Sequence, residues 1–170
     1  MPSIVARLAG RDLLVDTNVL VLFAVGQSRP DSIGGKRLEK YTAAHFQTMS
    51  RVVAASKRVI ITPHVLAESS NLIRLALFGD AMTNALALLL SNEWRFAGDD
   101  SGDTTTIVER HVPKNSFDSA LALRLGVADA GLAAIAVATQ SILLTDDFQL
   151  WGNVISLGGK AENFNNVWNE

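Results

Sequence analysis

Leu13-Leu14-Val15-Asp16-Thr17-Asn18-Val19-Leu20-Val21-Leu22-Phe23 sets two apolar segments on either side of a polar corner. The pattern reads as a strand, a turn and the start of a helix, with Asp16 where a short carboxylate can cap that helix. A strand with no polar alternation is buried on both faces, as strands of parallel sheets are. Val59-Ile60-Ile61 and Ser141-Ile142-Leu143-Leu144 have the same character, and the second also ends in a polar corner, Thr145-Asp146-Asp147. Short apolar strands separated by helical segments indicate an α/β class, a parallel sheet flanked by helices on both faces in three layers, α/β/α. In such sheets a site forms outside the carboxyl ends of the strands, which here means Asp16 and Asp146-Asp147.

The intervening segments fill in the pattern. Gln27 to Gly35 is rich in Gly, Pro, Ser and Asp and reads as a loop. After it, Leu38, Tyr41, His45, Met49, Val52 and Ser56 share one helical stripe, which predicts a long amphipathic helix to about Lys57. Thr62-Pro63 pairs a good N-cap with a proline at the first helical position, and the helix after it carries Glu68, runs to Leu77 and finds a C-terminal cap in Gly79. Asp80 to Ser91 reads as a helix and Trp94 to Phe96 as a short strand. Ala97 to Asn115 is polar and broken, a long connection. Ser116 caps a short helix over Phe117 to Leu125, closed by Gly126, and Val127 to Thr139 forms another with Asp129 in its first turn. Val154 to Leu157 is expected as the last strand, and the tail after Gly158 as polar and frayed.

Length and composition bound the possibilities. With 170 residues, 48% hydrophobic and 19% charged, the chain has material for one domain with a real core. A net charge of -2 means that contact with a polyanion must come from a local patch. The absence of cysteine excludes disulfides, thiolate metal sites and a cysteine nucleophile. No apolar run has the length of a membrane span and Met1 to Gly10 carries no apolar leader, so the expectation is a cytoplasmic protein without membrane contact.

Asp16, Glu68, Asp129 and Asp146-Asp147 interrupt apolar surroundings, two at strand ends and two on helices able to face the same sheet edge. Each alone has an ordinary reading as a helix cap, a solvated helix acid or a turn. Together they are less ordinary, because two carboxylates about 4 Å apart repel by about 4 kcal/mol at an effective dielectric near 20. A hard divalent cation, magnesium or manganese, offsets such repulsion, and its chemistry is hydrolysis at phosphorus.

In order along the chain, Leu14-Val15-Asp16-Thr17-Asn18, Thr62-Pro63 through Leu66-Ala67-Glu68, Leu125-Gly126-Val127-Ala128-Asp129-Ala130 and Leu143-Leu144-Thr145-Asp146-Asp147 resemble the PIN-domain nucleases, which include VapC-type toxins. The resemblance spans Leu13 to Leu157. It implies an endoribonuclease dependent on Mg2+ or Mn2+, with Asp16, Glu68, Asp129 and Asp147 as the acidic quartet, Asp146 as a further metal-ligand candidate, and Asn18 and Thr145 in supporting positions. It also implies an antitoxin partner and a homodimer.

For RNA, the segment Arg29 to Arg58 carries a local net charge of +5, and Arg37, Lys40 and Arg51 are its candidate phosphate contacts. Phe148 and Trp151 beside the acidic corner are candidates for stacking on bases. His45, His64 and His111 have no metal-ligand spacing. Gly34-Gly35-Lys36-Arg37 lacks the first glycine and the Ser or Thr of a phosphate-binding loop. Two alternatives stay open: an inactive PIN-like module that binds RNA or protein, and a phosphatase with Asp16 as nucleophile, although Asn18 stands where such enzymes usually carry a second aspartate.

Overall fold

The computed structural model describes residues 2–95 and 104–169. Within them the chain forms α1 (Ile4–Leu8), β1 (Asp12–Val15), α2 (Thr17–Ser28), α3 (Ala43–Ala55), β2 (Arg58–Ile61), α4 (Pro63–Ala76), α5 (Gly79–Leu89), β3 (Glu93–Arg95), β4 (Thr104–Glu109), α6 (Ser119–Leu125), α7 (Val127–Thr139), β5 (Ile142–Thr145), α8 (Phe148–Ser156) and β6 (Lys160–Asn163). The strands make one six-stranded sheet in the order β3-β4-β2-β1-β5-β6. It is parallel throughout except for the antiparallel β3–β4 pair. The class is therefore α/β, with a mostly parallel sheet and helices around it.

The apolar character of the central strands is fulfilled by burial: Leu13, Leu14, Val15, Leu143 and Leu144 have no exposed surface. The helix after β1 is apolar nearly all round and is buried from Val19 to Gly26, as a helix enclosed by neighbours must be. Phe23 from this helix meets Trp94 of β3 at 4.6 Å between ring centroids, and the Trp94 indole N–H donates to the Leu88 carbonyl at 2.9 Å. The indole is thus fully buried without an unpaired donor.

From β1 the chain builds the sheet in one direction through β2 and β4, and then returns to the other side of β1 for β5 and β6. Strand order thus reverses between β1 and β5. In open α/β sheets a crevice outside the carboxyl ends of the strands forms at such a point. Asp16 follows β1 and Asp146-Asp147 follow β5, so the polar corners lie at that crevice.

Several expectations need correction. The stripe from Leu38 predicts a helix that in fact begins at Ala43. Residues before it turn instead, with Arg37 at φ 72°, and His45 Nδ1 accepts from the Thr42 N–H at 2.8 Å to start the helix. Leu38 and Tyr41 are buried all the same, so they matched the stripe without being helical. Gly79 does not cap α4, which ends at Ala76; at φ 58° it opens α5. The connection expected over Ala97 to Asn115 contains β4, whose Thr105 is buried with its hydroxyl donating to the Val53 carbonyl at 3.1 Å. Phe96 and residues 97–103 lie outside the described residues. Val154 to Leu157 is not a strand: Leu150 and Val154, four apart, are the buried positions of α8. The tail after Gly158 is structured, because β6 pairs with β5 and places Phe164 in the core. At the other end, α1 was not expected; Ser3 caps it and Ile4 and Leu8 are buried. Among the described residues no helix is long and apolar enough to cross a membrane.

Candidate active site

Asp16 is the N-cap of α2 and is 4% exposed. Its Oδ1 accepts from the Thr17 N–H at 2.5 Å, and its Oδ2 accepts from the Thr145 hydroxyl at 2.6 Å. Burial still pushes its pKa from 3.8 up to about 7; the Thr145 hydrogen bond opposes this, and the charges of Asp129 and Asp146 add to it. A strand end thus supplies a carboxylate that is fixed in place and costly to ionise.

The other acids of the expected quartet gather around this one. Thr17 sits in the first turn of α2, and its hydroxyl donates to Glu68 Oε2 of α4 at 3.0 Å. Asp129 lies in the first turn of α7, a position the helix dipole favours for an acid. Burial nevertheless raises its pKa from 3.8 to about 6, with further increments from the charges of Asp147 and Glu68. Asp147 is the N-cap of α8: Oδ1 accepts from the N–H groups of Gln149 and Leu150 at 2.6 and 3.0 Å, and its own N–H donates to the Thr145 hydroxyl at 3.0 Å. Glu68 and Asp147 are exposed at the mouth, while Asp16 is buried below them. Asp129 therefore feels the charges of Glu68 and Asp147, Asp16 feels that of Asp129, and one threonine hydroxyl links the segments of Asp16 and Asp147.

Asp146 is turned to a different set of partners. The Tyr41 hydroxyl donates to its Oδ2, the Lys40 ammonium forms an ion pair with the same oxygen, and Asn18 Nδ2 donates to its Oδ1 at 3.3 Å. Asn165 Nδ2 holds its backbone carbonyl at 2.5 Å. Burial and then the Asp146 charge push the Tyr41 hydroxyl well above its ordinary pKa. Both oxygens of Asp146 are thus committed to protein groups. Sequence reasoning missed Tyr41 and Asn165 as site residues. The available signal for Tyr41 was that the only tyrosine of the chain, on an apolar stripe, needs a partner for its hydroxyl.

Among the described residues, no three Asp, Glu or His side chains are drawn together tightly enough to hold an ion as they stand. The donor set nevertheless fits a hard divalent cation in kind: it is all oxygen, its members repel, and the histidines lie elsewhere. His45 caps α3, His64 packs edge-on to Phe117 at 5.8 Å and His111 stands beside Glu109. Glu68 and Asp147 are exposed side chains.

The three expected phosphate contacts separate. Lys40 lies at the acids, paired with Asp146 and half exposed. Arg37 is exposed on the turn before α3. Arg51 lines a cavity with Gly26 and Gln27 at the far end of α2, about 14 Å along the helix from Thr17 at 1.5 Å per residue. Phe148 is 60% exposed next to Asp147, whereas the Trp151 indole donates to the Ala161 carbonyl at 3.2 Å and is half-buried. No protein-family model matches the chain, and no curated protein matches it.

Proposed function

We propose that the protein is a divalent-metal-dependent endoribonuclease with a PIN-like three-layer α/β/α fold. One observation carries the reading: where strand order reverses, Asp16 and Asp147 share the Thr145 hydroxyl, Thr17 beside Asp16 donates to Glu68, and Asp129 feels the charges of Glu68 and Asp147. Among the described residues no ion pair offsets the repulsion among them, and the Lys40 ammonium is paired with Asp146.

Asp16, Glu68, Asp129 and Asp147 would hold Mg2+ or Mn2+. When bound there, such an ion supplies positive charge to the cluster and acidity to water. The chain does the positioning. Thr145 and the Thr17 N–H fix Asp16, and Thr17 orients Glu68. The α8 amides hold Oδ1 of the exposed Asp147. Arg37, exposed on the turn before α3, would hold the backbone of an RNA strand, and the exposed ring of Phe148 offers a surface for a base. The antitoxin and the homodimer that the resemblance implies belong to this proposal as well.

The test is cleavage of a labelled oligoribonucleotide by the purified chain, with chelator and with added Mn2+. Cleavage that requires the metal and falls at least about 100-fold in Asp129→Asn supports the reading. A folded chain that binds the RNA but leaves it intact under every metal condition is a binding module and overturns it. Turnover of small phosphomonoesters with RNA left whole points to the phosphatase chemistry instead.

A further inference from the structure

A second concave site lies at the opposite end of the sheet. Asp12 opens β1, Ile142 opens β5, Lys160 opens β6, and Lys57 immediately precedes β2. These residues, with Arg7 and Arg11, line a cavity of about 360 Å³. It is about 13 Å from the acid cluster, the rise of four strand residues from Asp12 to Asp16.

Its lining carries four cations against one acid. The acid is already neutralised, since Asp12 accepts from Arg58 Nε and Nη2 at 2.8 and 2.7 Å. Arg7 is paired with Glu162 at 3.0 Å. Arg11, Lys57 and Lys160 pair with no carboxylate among the described residues. The carbonyl end of α7 also meets this cavity, and there Gln140 Nε2 donates to the Val137 carbonyl at 3.0 Å, which blunts the negative end of the helix. Hydroxyls of Thr139 and Ser141 line the same wall and bond each other at 2.7 Å. The cavity thus offers three cations that no ion pair engages, in a volume that suits a small ligand; the Thr139 hydroxyl donates to the Ile135 carbonyl at 2.8 Å and the Ser141 hydroxyl to Thr139, so the recognition falls to the cations. Cations facing one cavity repel unless an anion joins them, and phosphate is the anion that arginine and lysine recognise together.

We propose that this cavity at the amino ends of the parallel strands binds a small phosphate-bearing anion, of the size of pyrophosphate or a nucleoside monophosphate. The site is distinct from the acid cluster and needs no divalent cation, so it stands whether or not the nuclease reading does.

Calorimetric titration of the full chain in chelator tests it, with pyrophosphate, adenosine 5′-monophosphate and an oligoribonucleotide as separate probes. Pyrophosphate or the monophosphate should bind at one saturable site. Lys57→Gln combined with Lys160→Gln should weaken that binding by at least about 10-fold while circular dichroism stays unchanged. Lys36→Ala, which removes an exposed lysine outside the cavity, should leave it intact. Absence of saturable binding by either small probe overturns the proposal, and so does equal weakening by Lys36→Ala. Binding of the oligoribonucleotide alone, lost in the double variant, overturns the small-ligand assignment in favour of an RNA contact.

Discussion

The Thr145 hydroxyl donates to Asp16 Oδ2 at 2.6 Å, across the line between β5 and β1 where the strand order reverses. The same oxygen accepts from the Asp147 N–H at 3.0 Å. One hydroxyl therefore registers two acids that arrive from segments more than a hundred residues apart, and it makes burial of the Asp16 carboxylate tolerable.

Thr145→Val keeps the side-chain shape and deletes both bonds. The variant should lose about 1–3 kcal/mol in urea unfolding, the cost of a buried polar group left short of a partner. Thr145→Ser should recover most of that loss. A Val variant as stable as the parent would show that the hydroxyl does not hold Asp16.

Asp16 and Asp129 titrate in the folded chain at about 7 and about 6, above their ordinary 3.8, chiefly because of burial. Between these values the unfolded carboxylates have lost protons that the folded ones keep, so the folded state binds more protons. Stability in chelator should therefore fall as pH rises from about 4 to about 7 and then level off. Asp16→Asn should flatten the curve and raise the melting temperature at the alkaline end. Thermal melts across this range check it, and a stability that climbs steadily through the window contradicts the burial of uncompensated acids.

Gly26 permits a close approach between α2 and α3. A Cβ added there would meet Phe46 Cδ2 at 2.2 Å and Cγ at 2.7 Å, atoms near the root of the ring that have little freedom to yield. Gly26→Ala should cost about 1–3 kcal/mol by overpacking. Adding Phe46→Leu should return most of it. Additive losses in the double variant, read by urea unfolding, would locate the effect elsewhere.

Lys40 neutralises the buried Asp146. Lys40→Met should cost about 1–2 kcal/mol in denaturant unfolding. This is below the loss for a fully buried pair, because the ammonium is half exposed. An unchanged midpoint would mean that Tyr41 and Asn18 suffice to hold the carboxylate.

The sequence made the middle of the sheet and the acid set readable for a physical reason. Leu13-Leu14-Val15 and Leu143-Leu144 are buried on both faces, so composition alone marks them, and an acid that ends such a strand has few places to go. The edges of the sheet were not readable. Thr104–Glu109 and Lys160–Asn163 are polar strands whose pairing partner, not their composition, makes them strands. Val154 to Leu157 is apolar enough for either state, and only the burial of Leu150 four residues earlier settles it as helix. Tyr41 reached the site because the turn at Arg37 ended the helical reading early, a φ of 72° that composition does not announce. Whether Glu68, 52 positions after Asp16, would come near it depended on tertiary packing; the Thr17 hydroxyl records that it does.

Equilibrium Mn2+ binding, read from the loss of the free-ion electron paramagnetic resonance signal, shows whether the acids act as one cation site. The intact chain should take up the ion saturably, with Asp16→Asn and Asp129→Asn each weakening uptake at least about 10-fold while retaining the fold. Weak, unsaturable uptake that is the same in all three proteins would show that the four acids act separately and form no cation site.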